Sequence, residues 1–244
     1  MPSQPRGYHQ IQINSGGKPV KYIISLLIGA AACVWGSRYV FGYLKREDKE
    51  LCKKHRILIS AGGGVLFAAV AVLFPLLISG ADMSVTAVFR AMILIYFLYF
   101  IAIIDFRLKI IPNCMLLIML GVMVPCYLAE LILVPGSIRL SITAGLLGGA
   151  MCFVIFLVGK LISRKGMGMG DIKLAAVMGL YLGIDNALGC MLWAMIFGAV
   201  TGVVLIASKK LKPKSKIAMG PFFFAGVLMG HIMYIISGIM GGQV

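Results

Sequence analysis

Ser163 to Gly179 reads SRKGMGMGDIKLAAVMG: a basic pair, glycines alternating with methionine, one aspartate, Asp171, and then an apolar run. A carboxylate placed between a glycine-rich loop and an apolar helix is costly in a chain this hydrophobic. Of the 244 residues, 61% are hydrophobic and 13% charged, and the mean hydropathy is +1.00. Such a composition leaves too little polar surface for a water-soluble globule. The expected fold is all-α, a polytopic membrane protein with about eight transmembrane helices.

A hydrocarbon core about 30 Å thick takes about 20 apolar residues per helix. The apolar segments run over 21–44, 57–79, 85–105, 111–134, 138–162, 171–184, 186–207 and 219–240. A polar stretch rich in Gln, Ser, Gly and Pro precedes the first, which therefore reads as an uncleaved span rather than a signal peptide. The chain divides into a disordered tail over 1–19, a first span with a short basic loop over 20–56, and a membrane domain over 57–244.

The 23 Lys and Arg against 8 Asp and Glu are the signature of juxtamembrane loops rather than of nucleic-acid binding. Seventeen basic residues fall in the connections that leave odd-numbered spans, and five on the opposite side, Arg90 and Arg139 among them. Because cytoplasmic loops hold the positive excess, both termini are expected outside the cytoplasm. The six cysteines are scattered without a CxxC pair and read as packing residues. The sequence CKKH, Cys52 to His55, offers two metal-ligand types without a second pair and reads as a basic loop. No role is assigned to His9 or His231.

Beyond the first loop the acidic residues are Asp82, Asp105, Glu130, Asp171 and Asp185. Asp82 and Asp185 fall in outer turns, and Glu130 reads as an interfacial carboxylate. Asp105 and Asp171 both fall at cytoplasmic helix ends, so they can meet. Asp105 closes the third span in IAIIDFRLKIIPN, where Pro112, which has no N–H to leave unsatisfied, suits the first turn of the next helix. Asp171 opens a span of about 14 residues, about 20 Å long and too short to cross alone, which sets the aspartate below the membrane surface. Two carboxylates in a confined site share a proton, so an acidic and a basic form coexist. That pairing suits peptide hydrolysis; residues of this kind could equally serve ion-coupled transport.

The surrounding motifs resemble a known family. GMGD, Gly168 to Asp171, is similar to the signature of GxGD aspartyl membrane proteases, and its continuation IKLAAVMGLYLG to the prepilin peptidase branch. DFRLKIIPN, Asp105 to Asn113, resembles that family's first catalytic segment, and IAMGPFFFAG, Ile217 to Gly226, its Gly-Pro-Phe segment. The resemblance covers roughly 57–240. It implies a GxGD-type enzyme that removes the basic leader from type IV prepilin-like or pseudopilin precursors at the cytoplasmic face of the cell membrane, beside anionic lipids. Asp105 and Asp171 would be the catalytic pair, supported by Gly168, Gly170, Lys173, Pro112, Asn113, Gly220 and Pro221. No metal or cofactor is implied, and an archaeal-type preflagellin peptidase shares the same logic. Lys173 lies about 200° around the helix from Asp171, so it would snorkel to headgroups or hold the loop rather than pair with that carboxylate.

One departure stands out. Full-length prepilin peptidases carry a cytoplasmic insert with two CxxC pairs and an associated N-methyltransferase activity. Here the first loop is only KREDKELCKKHR, and GSRYV is at best a degraded form of the segment before that insert. The peptidase half is expected without the methylation half. GxxxG spacings at Gly145/Gly149, Gly179/Gly183, Gly198/Gly202 and Gly226/Gly230 predict close helix packing within the bundle.

Overall fold

A computed structural model describes residues 36–45, 62–63, 85–133, 138–163, 168–209 and 217–241. The tail over 1–19, most of the first two expected spans and the basic loops at 46–56 and 210–216 lie outside the described residues. Among the described residues every regular element is a helix. A short helix α1 covers 36–45. It is followed by α2 (Val85–Leu108), α3 (Asn113–Leu133), α4 (Ile138–Ser163), α5 (Met169–Ala207) and α6 (Gly220–Gly241). Four of these are long and apolar enough to cross a membrane, and α6 contributes a shorter apolar stretch, Gly220–Tyr234.

The helix α2 is the hub of the bundle. Leu94, Leu98, Phe100, Ile101 and Ile104 are fully buried along it, meeting Val40 and Leu44 of α1, Met115 and Met119 of α3, Ile172 and Met178 of α5, and Phe223 of α6 in one continuous core. The outward faces are apolar too: Leu117, Val124, Leu128 and Ile132 on α3 and Val200, Val203 and Val204 on α5 are exposed. In a protein solvated by lipid such a face needs no polar cover, because acyl chains are as apolar as leucine.

What ends α2 matters for the site. Lys109 adopts φ 57°, and its N–H donates to the Asp105 carbonyl at 2.8 Å, a left-handed cap of the kind usually given to glycine. Four residues later the chain is helical again, and the Pro112 carbonyl accepts the first bond of α3 from Met115 at 3.2 Å. Pro112 thus stands immediately before the helix rather than in its first turn.

The helix α5 is two arms. Gly183, with φ 72° and ψ 170°, interrupts it. The arm before it runs antiparallel to α4: Lys160 Nζ reaches Met169 Sδ at 3.0 Å near one end, and Gly148 and Gly149 lie against Gly179 and Leu180 further along. The arm after Gly183 comes back, so that a side-chain carbon at Gly198 would touch Phe222 and one at Gly202 would touch Ile217. Those partners sit at the end where Gly220 meets Asp105. Only a reversal of direction brings both ends of α5 to the same end of the bundle. The sequence reading places this break at Asp185 and Asn186; it falls on Gly183, because the backbone needs positive φ there, which glycine alone adopts without a Cβ penalty.

The glycine spacings pack within the bundle as expected. A carbon at Gly145 would touch the Tyr127 hydroxyl and the Leu180 carbonyl, and one at Gly226 would meet Cys190 and Ala194. The closest backbone approach, however, is between Gly148 and Gly179.

Glu130 corrects the sequence reading. It is fully buried, not interfacial. Its carboxylate lies 3.7 Å from the Arg90 guanidinium and accepts from the Ser141 hydroxyl, while the guanidinium sits over the Tyr127 ring at 5.2 Å. Arg90 is therefore a buried helix residue and not a loop charge. The cluster ties α2, α3 and α4 together fifteen residues along α2 from Asp105, about 22 Å away. Cys126, Cys152 and Cys190 are buried packing residues as expected, whereas Cys114 is exposed.

Candidate active site

Three connections converge at one end of the bundle. From α2 comes Asp105, whose side chain is 3% exposed. Its Oδ2 accepts from the Gly220 N–H at 2.6 Å. The approach depends on Gly220 having no side chain, since a carbon there would lie 3.0 Å from both Cβ and Oδ2 of Asp105. The first turn of α6 thus aims the free Gly220 backbone donor at a carboxylate, which is where a helix N-terminus favours negative charge.

From α5 comes Asp171, the third residue of its helix. Its Oδ2 accepts from the Gly168 N–H at 3.0 Å, half of a capping box with glycine in place of the usual hydroxyl residue. The two aspartates, 66 positions apart in sequence, are near enough that the charge of Asp105 acts directly on Asp171.

The supporting residues fall into two contacts. Gly170 packs on Ile111, where an added carbon would sit 3.0 Å from the Ile111 Cβ. Lys173 Nζ donates to the Asn113 side-chain oxygen at 3.1 Å. Both join the Asp171 arm to the turn after Asp105. Lys173 therefore turns away from Asp171 and holds the neighbouring segment, with a partner the sequence reading did not find. Pro112 is buried at the turn, and Pro221 is the second residue of α6. Among the described residues no cluster of three or more His, Cys, Asp or Glu could hold a metal ion.

Residues 92–203, which include both aspartates, match the type IV leader peptidase family. The chain is similar to a prepilin leader peptidase/N-methyltransferase of Bacillus subtilis (strain 168), at 29% identity over 211 residues, or 86% of this chain and 74% of that protein. A protein of the same name from Xanthomonas campestris pv. campestris is 29% identical over 139 residues, 55% of this chain and 46% of its own. One from Burkholderia pseudomallei (strain 1026b) is 28% identical over 107 residues, 42% of this chain and 35% of its own. No solved structure matches the chain. The match to the leader peptidase family begins in α2 and ends in the returning arm of α5, so α6, with the Gly220 donor to Asp105, lies beyond it.

Proposed function

We propose that this protein is a membrane aspartic endopeptidase that removes the basic leader from type IV prepilin-like or pseudopilin precursors at the cytoplasmic face of the cell membrane. The match of residues 92–203 to the type IV leader peptidase family, and the similarity to prepilin leader peptidases, support a peptidase acting on prepilin precursors. The observation that carries the aspartic mechanism is the pairing of Asp105 with Asp171, each accepting from the backbone N–H of a glycine in a separate segment.

In this reading one proton is shared between two carboxylates. The ionised aspartate takes a proton from a water molecule as its oxygen bonds to the scissile carbonyl carbon. The protonated aspartate gives its proton to the carbonyl oxygen, forming a neutral tetrahedral diol. Collapse of the diol breaks the C–N bond, with one carboxyl returning a proton to the leaving amine and the other recovering one from a diol hydroxyl. Both termini lie on the non-cytoplasmic side, and the basic loops face anionic lipid. Substrates are precursor proteins and not nucleic acids, and the first loop supplies no methyl-transfer site.

The test is incubation of the purified enzyme with a model prepilin bearing a basic leader and a hydrophobic helix. Cleavage is expected from the natural enzyme and is lost in Asp105→Asn and in Asp171→Asn, since an amide supplies no exchangeable acid or base proton. The double variant should lose little more than either single one, because the pair acts as one unit. Near-normal turnover in either single variant rules the mechanism out and leaves ion-coupled transport as the use of the pair.

A further inference from the structure

The outward side of α3 carries one polar group that lipid cannot satisfy. Pro125 stands inside this helix, and because proline has no N–H, the Gly121 carbonyl four residues earlier lacks its helical donor. Gly121 and Pro125 are both exposed, as are Leu117, Val124 and Leu128, and spacings of three and four put them on one face. The buried face of α3 is the other one, along Met115, Met119 and Met123. A carbon added at Gly121 would have nothing within 4 Å of it, which leaves a notch in an otherwise apolar ridge beside the freed carbonyl. In hydrocarbon such an acceptor is satisfied by a neighbouring helix, and a glycine at the crossing lets that helix approach closely.

This face begins at the candidate active site. Ile111 packs on Gly170, and Asn113, the first residue of α3, accepts from Lys173, so α3 starts level with Asp171 and leads away from it. A precursor cut ahead of its hydrophobic helix sends that helix from the pair into the membrane in the same direction. The described part of the second expected span is seated elsewhere: Gly62 lies against Tyr99, whose ring meets Phe224 of α6, on the α6 side of α2. We propose that the face of α3 from Leu117 to Leu128 is the docking surface for the hydrophobic helix of the precursor. That helix runs parallel to α3 and crosses Gly121 with a small or hydroxyl-bearing residue, which satisfies the freed carbonyl. Gly121 lies about 12 Å along α3 from Asn113, level with about the eighth residue after the scissile bond.

This surface rests on the leader-peptidase reading, and kinetics of the full chain on the model prepilin separate the two. Gly121→Leu fills the notch at a position with open surroundings, and leucine is the better helix former, so folding holds while docking suffers. KM for the model prepilin is expected to rise about ten-fold, with kcat at saturation little changed and the unfolding temperature no lower. Gly159→Leu, at a glycine of α4 with equally open surroundings, leaves KM as it is. Photocapture carries the test if Gly121→Leu inserts poorly: in the Asp105→Asn variant, a benzophenone amino acid at position 128 captures uncleaved prepilin on illumination and one at position 159 does not. An unchanged KM in Gly121→Leu, or no capture from position 128, overturns the proposal. So does a lowered unfolding temperature, which would mean that another part of this chain already covers the face, or a change in oligomeric mass, which would seat a second copy there. A natural enzyme that leaves the prepilin uncut sinks the leader-peptidase reading itself.

Discussion

Gly148 on α4 offers a sharp test of how the Asp171 arm is seated. A side-chain carbon there would lie 2.6 Å from the Gly179 carbonyl oxygen, 2.7 Å from the Gly183 carbonyl carbon and 2.9 Å from the Ile184 nitrogen. All three are backbone atoms, which no rotamer change can move aside. Restoring an ordinary contact means separating α4 from α5 by about 0.8 Å. Forcing one carbon into a filled interface of this kind costs about 1–3 kcal/mol, partly offset by the roughly 1 kcal/mol that alanine gains over glycine inside a helix. Gly159, on the same helix, has nothing within 4 Å of an added carbon, so Gly159→Ala keeps the gain without the collision. Gly148→Ala should therefore be less stable than Gly159→Ala by about 1–3 kcal/mol, read by reversible unfolding in mixed micelles. The same shift moves Asp171 against Asp105, and sub-ångström misplacement of a reacting group costs on the order of 10- to 100-fold in kcat/KM. If the two variants unfold at the same denaturant concentration and cleave equally fast, the close seating of α5 on α4 is wrong.

Three further outcomes are expected. Lys173→Met should lower kcat several-fold with KM little changed, since the Asn113 bond positions the Asp171 arm and a charge-assisted bond of this kind is worth about 1.5–3 kcal/mol; Asn113→Ala should do the same, and the double variant should be no worse than either, a result that simple loss of folding would not give. Glu130→Gln should destabilise the protein by about 3–5 kcal/mol by stranding the buried Arg90 charge, with Arg90→Met plus Glu130→Gln recovering much of it; equal stability of the single variant and the natural protein, measured by thermal unfolding, would contradict burial of the pair. Incubation with prepilin and S-adenosylmethionine should yield a cleaved product with a bare amine in the mass spectrum, because a first loop of about a dozen residues cannot bury a methyl-donor site of its own; a product heavier by one methyl group would place that site elsewhere in the chain.

Several features could be read from the chain alone because they depend on neighbours in sequence. The apolar segments at 85–105, 111–134, 138–162 and 219–240 coincide with helices, since hydrophobic length is a local property. The glycine loop before Asp171 and the proline before Asn113 mark helix starts for equally local reasons. What escaped depends on partners far apart. Helical geometry turned Lys173 away from Asp171 correctly, but nothing nearby pointed to Asn113, sixty positions earlier. Arg90 reads as a loop charge and Glu130 as an interfacial one, because each looks like a lone charge until α2 and α3 are laid side by side. Sequence sets the turn two residues late, on the polar Asp185 rather than Gly183, since polarity marks exposure whereas a positive φ leaves no mark beyond the glycine itself. Spacing picked out Gly145 and Gly149, yet the tightest crossing uses Gly148, whose place on the helix is chosen by the shape of α5.

The register of the short arm against α4 also fixes how far water must travel. Gly149 lies beside Leu180 and Ala176, so counting back along both helices sets Asp171 level with about Phe156, seven residues before Ser163 ends α4. At 1.5 Å per residue that is about 10 Å inward from the helix end. If the pair hydrolyses peptide as proposed, its other reactant, water, has its nearest approach to Asp171 past the opening of α5, where Gly168 and Met169 are exposed.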